Sequence, residues 1–480
     1  MRTKHYAPIA LRFFAVLAVC LSVLNTAMPV RSQSNITPWS APEDLTQSSL
    51  VETGTFGLLL CDRQENLHLL WSHLSPQGAL MMYQNDLTGD LSSPVDIIAL
   101  SEDILIRTSA AISDHDDVLH VIWQNRYIGA DVYYSQVQLN QAHNPNAWQV
   151  PRRLLENVDS ANLAIDNSGS PHVLYGQSED GGLSNSLYLI KSLDGGENWT
   201  DRLTVFQNAA TLPSGISGGL AIDDANRLHV GVTIRTQEYG AYSEVGYLRS
   251  LDDGQTWSPY EQIMVDGTSF QGVSTMLPYT FGDDEVHLTW HDPRRMHQWS
   301  SDGGETWSAP VEIMSLGAAF GGPNLLVKDS AGTLYAIVAT SGGVYSATWS
   351  EDTWRDFQQI DNRSNDPHGQ HMVVCQGNQL HAVYYDRLGE NKVWYSTRTV
   401  AAPHVERQLP TPTTESLVQP AITPRATVEP SPTPRPFTES TRVIAEDSPV
   451  STPLHPLLAS TVVTLGFLVV VVVGSKKRSR

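Results

Sequence analysis

Cysteine is nearly absent: the chain has three in 480 residues. Cys20 lies in an N-terminal apolar run, which leaves Cys61 and Cys375. Two distant cysteines exclude a disulfide framework and any cysteine-based metal spacing. Charge is sparse as well, at 17% of residues, and mostly of one sign, with 30 Lys and Arg against 51 Asp and Glu. The two terminal segments hold eight of the basic residues and no acidic ones, so the stretch between them stands at 22 − 51 = −29. A surface this acidic argues against nucleic acid or anionic lipid as its partner.

Long uncharged runs are confined to the two ends. Arg2, Lys4 and Arg12 precede the apolar run Phe13 to Leu24, and small and polar residues follow. Residues 1–34 read as a secretory signal. Leu457 to Val473 is 17 residues without a charge, extended by Gly474 and Ser475. At about 1.5 Å per residue, 457–475 is just long enough for one transmembrane helix. Lys476, Lys477, Arg478 and Arg480 form a basic tail, 476–480, expected on the cytoplasmic side. The implied topology is single-pass type I in the cell membrane, with the bulk of the chain outside. Residues 401–456 hold 12 of the 28 prolines, with many Thr and Ser. Such a segment buries no core and reads as an extended, disordered stalk.

Residues 35–400 repeat. A short second-strand pattern recurs as NLHLLW (66–71), VLHVIW (118–123), SPHVLY (170–175), RLHVGV (227–232), EVHLTW (285–290), TLYAIV (333–338) and QLHAVY (379–384). Seven copies of about four strands each predict an all-β, seven-bladed β-propeller. Repeats one to six end in an outer strand, whereas the seventh stops at VWYSTRTV. The N-terminal TPWSAPEDL (Thr37–Leu45) closely matches the outer strand TWSAPVEI of repeat five. We expect it to complete the seventh blade and remove an open edge. His68, His120, His172, His229, His287 and His381 share one strand position. Recurrence in nearly every blade points to packing. Cys61 and Cys375 fall at the ends of the inner strands of blades one and seven, where a bond across the closure is possible.

Between the third and fourth strands of repeats three, four and five stands Ser-x-Asp-x-Gly-x-x-Trp. Its residues are Ser192, Asp194, Gly196 and Trp199; Ser250, Asp252, Gly254 and Trp257; and Ser300, Asp302, Gly304 and Trp307. The Asp can accept backbone N–H bonds in a tight turn, and glycine supplies the left-handed positions. The Trp should point back between the strands and fill the blade. This pattern resembles the Asp box, or bacterial neuraminidase repeat, of the sialidase superfamily, and the resemblance covers nearly all of 36–400. It implies a propeller fold. In that family an arginine triad, a Tyr–Glu pair and an Asp form the site, and the first arginine lies in Phe-Arg-Ile-Pro. Here Phe56 is followed by Gly57, Leu58 and Leu59. The departure favours a recognition module for glycans or extracellular protein partners over an exo-acting sialidase-type glycoside hydrolase.

The face opposite the boxes is the candidate site. Arg126, Arg294, Arg295, Arg387, His291 and His368 are the candidate ligand-binding residues, since arginine forks suit carboxylates. Apart from Arg126, in repeat two, they cluster in repeats five to seven with Asp292, His297, Asp366, His371 and Asp386. Hydrolysis would need two carboxylates, with Asp292, Asp386 and Glu238 as candidates beside Tyr239. We expect no metal and no cofactor, and a monomer.

Overall fold

The computed structural model describes residues 37–46, 53–75, 78–100, 107–124, 130–177, 184–208, 214–236, 243–266, 276–291, 294–314, 325–363, 367–386 and 392–407. The signal (1–34), most of the stalk, the span 457–475 and the tail lie outside them. No helix among the described residues is long and apolar enough to cross a membrane. The described chain is all β apart from two single-turn 3-10 helices, at Leu139–Gln141 and Pro145–Ala147.

The strands follow the repeats. A short β1 (Glu43–Asp44) comes first. Repeat one forms β2 (Thr53–Cys61), β3 (Leu67–Ser75), β4 (Gly78–Asn85) and β5 (Val95–Ala99). Repeats two and three form β6 (Arg107–Ser113), β7 (Val118–Gln124), β8 (Ala130–Gln138), β9 (Arg152–Ile165), β10 (Pro171–Gln177), β11 (Ser186–Lys191) and β12 (Leu203–Gln207). Repeat four forms β13 (Ser214–Ile222), β14 (Leu228–Thr236), β15 (Ser243–Ser250) and β16 (Glu261–Asp266). Repeat five forms β17 (Leu277–Phe281), β18 (Glu285–His291), β19 (Arg295–Ser300) and β20 (Val311–Met314). Repeat six forms β21 (Leu325–Lys328), β22 (Leu334–Thr340), β23 (Gly343–Ser350) and β24 (Thr353–Asp361), and repeat seven β25 (Pro367–Cys375), β26 (Gln379–Asp386) and β27 (Val393–Thr399).

Five sheets have four antiparallel strands, and one has seven, in the order β12 to β6. The larger sheet has a simple cause. The 14-residue β9 pairs with β8 through its first half and with β10 through its second, so it is the outer strand of repeat two and the inner strand of repeat three. The sheet of repeat seven gains its fourth strand from the N-terminus: Glu43 faces Tyr395 and Asp44 faces Trp394.

Among the described residues, seven clusters of buried side chains lie between consecutive repeats. One joins Leu70 and Tyr83 to Leu119 and Trp123, and the next joins Ile122 and Tyr134 to Tyr175 and Tyr188. The last joins Val383, Val393 and Tyr395 of repeat seven to Leu59, Leu69 and Trp71 of repeat one. Second strands are therefore covered on both faces. Every residue of β7 and of β22 is buried. A strand sandwiched this way reads as a near-continuous apolar run rather than an alternating one, which is why the repeat is so visible there. The fold is β-propeller-like.

Candidate functional site

Up-and-down strands give each repeat two rims. One rim carries the turns from first to second and from third to fourth strand. The other carries the connections from second to third strand and from repeat to repeat. The predicted site residues fall on the second rim. His291 ends β18 and pairs across the ladder with Arg295, the first residue of β19. In repeat seven, Asp386 ends β26 opposite Pro367, and the adjacent His368 faces Tyr385. Arg126, Glu238, Tyr239, Asp292, Asp366 and Arg387 lie outside the described residues.

The described candidates divide by burial. Arg294 is exposed. Arg295 is 4% exposed, and its guanidinium donates to the Ala339 carbonyl of repeat six at 2.7 Å. Burial lowers its pKa to about 10. The group braces two sheets. Asp386 is buried, as is His291. His371 accepts a bond from the Leu59 N–H of repeat one at 3.4 Å through Nδ1, which engages that nitrogen in the seam. Among the described residues, no group of three His, Cys, Asp or Glu side chains could hold a metal ion.

The first rim is built from carboxylate turns. Ser300 Oγ donates to Asp302 Oδ1 at 2.7 Å and accepts from the Gly304 N–H at 2.9 Å. Asp302 accepts from the N–H of Thr306 at 2.8 Å and from its hydroxyl at 2.6 Å. Asp252 accepts the same two bonds from Thr256, and Asp194 accepts from the backbone N–H and the side-chain amide of Asn198. The backbone and side-chain bonds from Asn198 hold the Asp194 pKa down to about 2. The hydroxyl of Thr306 leads in lowering Asp302, and that of Thr256 in lowering Asp252. A carboxylate saturated with donors is a poor base, so the boxes are structural.

The tryptophans pack at the seam between their own repeat and the one before it. Trp199 lies edge-on to Tyr134 of the preceding repeat at 5.4 Å, and Trp307 to Tyr247 at 4.8 Å. The second glycine makes this approach possible. A Cβ on Gly196, Gly254 or Gly304 would stand 1.8, 2.8 or 2.2 Å from Tyr134 Oη, Leu189 Cδ2 or Tyr247 Oη. The box therefore plugs the seam with the sheet before it.

A second carboxylate turn, after the first strand, is less obvious in the sequence because its residues vary. Asp62, Asp166, Asp223 and Asp329 each accept backbone N–H bonds from two and four residues ahead. It supports the repeated histidine. His229 Nε2 faces Asp223 at 3.1 Å, and its Nδ1 meets Tyr247 Oη at 2.6 Å. His68 stands the same way between Asp62 and Tyr83.

His120 and His381 keep the tyrosine, at 2.7 and 2.6 Å, but Nε2 has no hydrogen-bond partner among the described residues. Burial lowers both pKa values from 6.5 to about 4. The unfolded chain therefore takes up these two protons as pH falls through 6.5, and the folded one only near 4. Stability is intact above that window and falls within it, by about 1.4 kcal/mol per pH unit for each histidine. Thermal midpoints recorded above and inside the window should decline together with pH. A flat profile would mean that neither ring is buried neutral.

No protein-family model matches the chain, and no curated protein does. Solved structures resemble it in fold. An ulvan lyase of polysaccharide lyase family PL25, solved bound to a GlcA(1-4)Rha3S saccharide, is similar at TM-score 0.50 and 8% identity, over 78% of this chain and 96% of its own. A protein of unknown function from Dyadobacter fermentans scores 0.45 at 12% identity, over 77% and 99%. The NanB sialidase of Streptococcus pneumoniae scores 0.40 at 14% identity, over 79% and 72%. At such identities the likeness is one of fold.

A Cβ on Gly57 would stand 2.7 Å from Val383 Cγ2 of repeat seven. The seam leaves no room for a side chain there.

The residues that the sequence reading left without a role lie on the box rim. A cleft of about 420 Å³ opens between repeats five and six, beside Glu285, Trp299, Ser301, Lys328 and Trp349. Its signal is the shortened turn of repeat six, SEDTW where three other repeats carry a full box.

Proposed function

We propose that the chain is a membrane-anchored, seven-bladed propeller that presents its loop rim as a recognition surface for glycans or an extracellular protein partner. The seven seams support a closed ring, since the last packs repeat seven against repeat one. The pairing of β1 with β27 and the Cys61–Cys375 bond lie at the same seam. So does the chain beyond β27. Val405 N–H donates to the Gln376 carbonyl at 2.9 Å, and the Arg407 guanidinium binds both the Asp86 carboxylate and its carbonyl. These residues belong to the box rim.

The observation that carries recognition over hydrolysis is the contact between Gly57 and Val383. It removes the position from which a sialidase-type arginine would hold a carboxylate. The polysaccharide lyase that shares the fold was solved with a saccharide bound, which makes oligosaccharides the first ligand class to test. The full-length protein should turn over no fluorogenic sialoside or other glycoside, and it should retain glycans on an array. Arg294→Ala should weaken that retention. Turnover that disappears in an Asp292→Asn, Asp386→Asn double variant would sink the recognition reading and make the chain a hydrolase.

A further inference from the structure

The seams differ in how they are plugged. In repeats three to five a full box reaches the preceding sheet. In repeat two the 3-10 segment does so, with Trp148 edge-on to Tyr83 at 6.4 Å. Repeat six keeps only the tryptophan: Trp354 lies 5.3 Å from His297. Its β23 and β24 are joined through Glu351 and Asp352, both with positive φ, in a tight hairpin. Trp349 and Trp354 reach His297 on the third strand of repeat five, and the cleft opens beside Trp349, where repeat six lacks the rest of a box.

We propose that this cleft is a ligand site on the box rim, separate from the loop rim, and that it takes a neutral saccharide. Its volume of about 420 Å³ falls within the range of small-molecule sites, roughly 300–1,000 Å³. Trp299 and Trp349, centroids 5.0 Å apart and inclined at 68°, give it an indole wall that is only partly buried. The apolar C–H face of a pyranose packs on such electron-rich ring faces. The lining also offers hydrogen-bonding groups of a kind suited to sugar hydroxyls: Glu285, Lys328 and the exposed Ser301.

Charge decides the class. Glu285 binds Lys328 and also meets His287 Nε2 at 2.8 Å. The neighbouring Asp284 pairs with Arg227 at 3.1 Å. Lys328 also sits 4.8 Å above the Phe281 ring. Each cation is already matched by a carboxylate, so no positive charge is left over for an acidic sugar. The −21 net charge of the chain repels one further.

The test is calorimetric titration of the full-length, detergent-solubilised protein with cellobiose, lactose and chitobiose, and with N-acetylneuraminic acid for comparison. At least one neutral disaccharide should bind. Trp349→Ala and Ser301→Trp should each weaken it roughly tenfold or more. Ser301→Trp guards against misfolding, since the matching box position carries Leu193 and Leu251, 72% and 64% exposed. Its thermal midpoint should match that of the unaltered protein. Arg294→Ala, on the other rim, should leave this binding unchanged, which separates the cleft from any loop-rim ligand. The proposal is overturned if none of the three disaccharides binds, if binding survives Ser301→Trp, or if the acidic sugar binds equally well with the same sensitivity.

Discussion

Gly196→Ala should destabilise the fold by about 3 kcal/mol or more, whereas Gly195→Ala, one residue earlier, should cost about 1 kcal/mol. Both glycines have positive φ, +67° at Gly195 and +92° at Gly196, so both substitutions carry left-handed strain. Their surroundings differ. A Cβ on Gly195 meets nothing within 4 Å, but on Gly196 it would stand 1.8 Å from Tyr134 Oη. The tyrosine cannot easily withdraw. Its hydroxyl meets His120 Nδ1 at 2.7 Å and donates to Gln136 Oε1 at 2.8 Å, and its ring is held edge-on by Trp199. Relief requires either breaking a buried polar pair or moving two repeats apart, and overpacking of this kind adds about 1–3 kcal/mol. Denaturant unfolding of the two variants measures the difference directly. Equal midpoints would show that the box turn yields freely and does not set the seam. Gly304→Ala in repeat five should be similarly costly, since a Cβ there would stand 2.2 Å from Tyr247 Oη.

That contrast also shows what the sequence exposes and what it hides. The repeat is legible because second strands are buried on both faces and so carry Leu, Val and Trp in a fixed order. The N-terminal completion of repeat seven is legible because Thr37–Leu45 reads like an outer strand that repeat seven lacks. The direction of the box tryptophan is hidden. Periodicity within one repeat says nothing of which neighbouring sheet a ring will reach. The sharing of β9 is hidden for a related reason: two strand patterns that run together look like two strands.

The site was the least legible part. Loop-rim residues have no period, because each connection is free to differ. Arg294 and Arg295 are adjacent in sequence, yet one is exposed and the other is sealed against Ala339. Arg294 lies in the bend before β19 and Arg295 is the first residue of that strand, and composition cannot say where the bend gives way to the covered strand. The box-rim cleft is marked only by residues that are missing from repeat six, and a missing plug draws no attention in a search for reactive groups.

Removing the Cys61–Cys375 bond should be the largest single loss short of breaking a strand. The bond joins the last residue of β2 to the last residue of β25 across 314 residues, with Cα atoms 5.7 Å apart. Tethering a loop of that length restricts the unfolded chain far more than the folded one. In the chain-entropy view the stabilisation reaches about 5 kcal/mol. That is comparable with the whole stability of many domains, roughly 5–15 kcal/mol. A Cys61→Ala, Cys375→Ala double variant avoids burying a new hydroxyl, since Cys375 is fully buried against the core of the seam. It should unfold at a much lower denaturant concentration and still fold, because two further contacts tie down the two ends of the chain. The ladder from β1 to β27 and the Arg407–Asp86 pair do not involve sulfur. Adding Arg407→Ala to the double variant should then cost more than Arg407→Ala alone costs the oxidised protein, since the pair becomes one of two remaining ties instead of one of three. A double variant as stable as the parent would mean that strand pairing and the arginine already hold the ends together, and that the bond constrains an unfolded chain whose ends stay close without it.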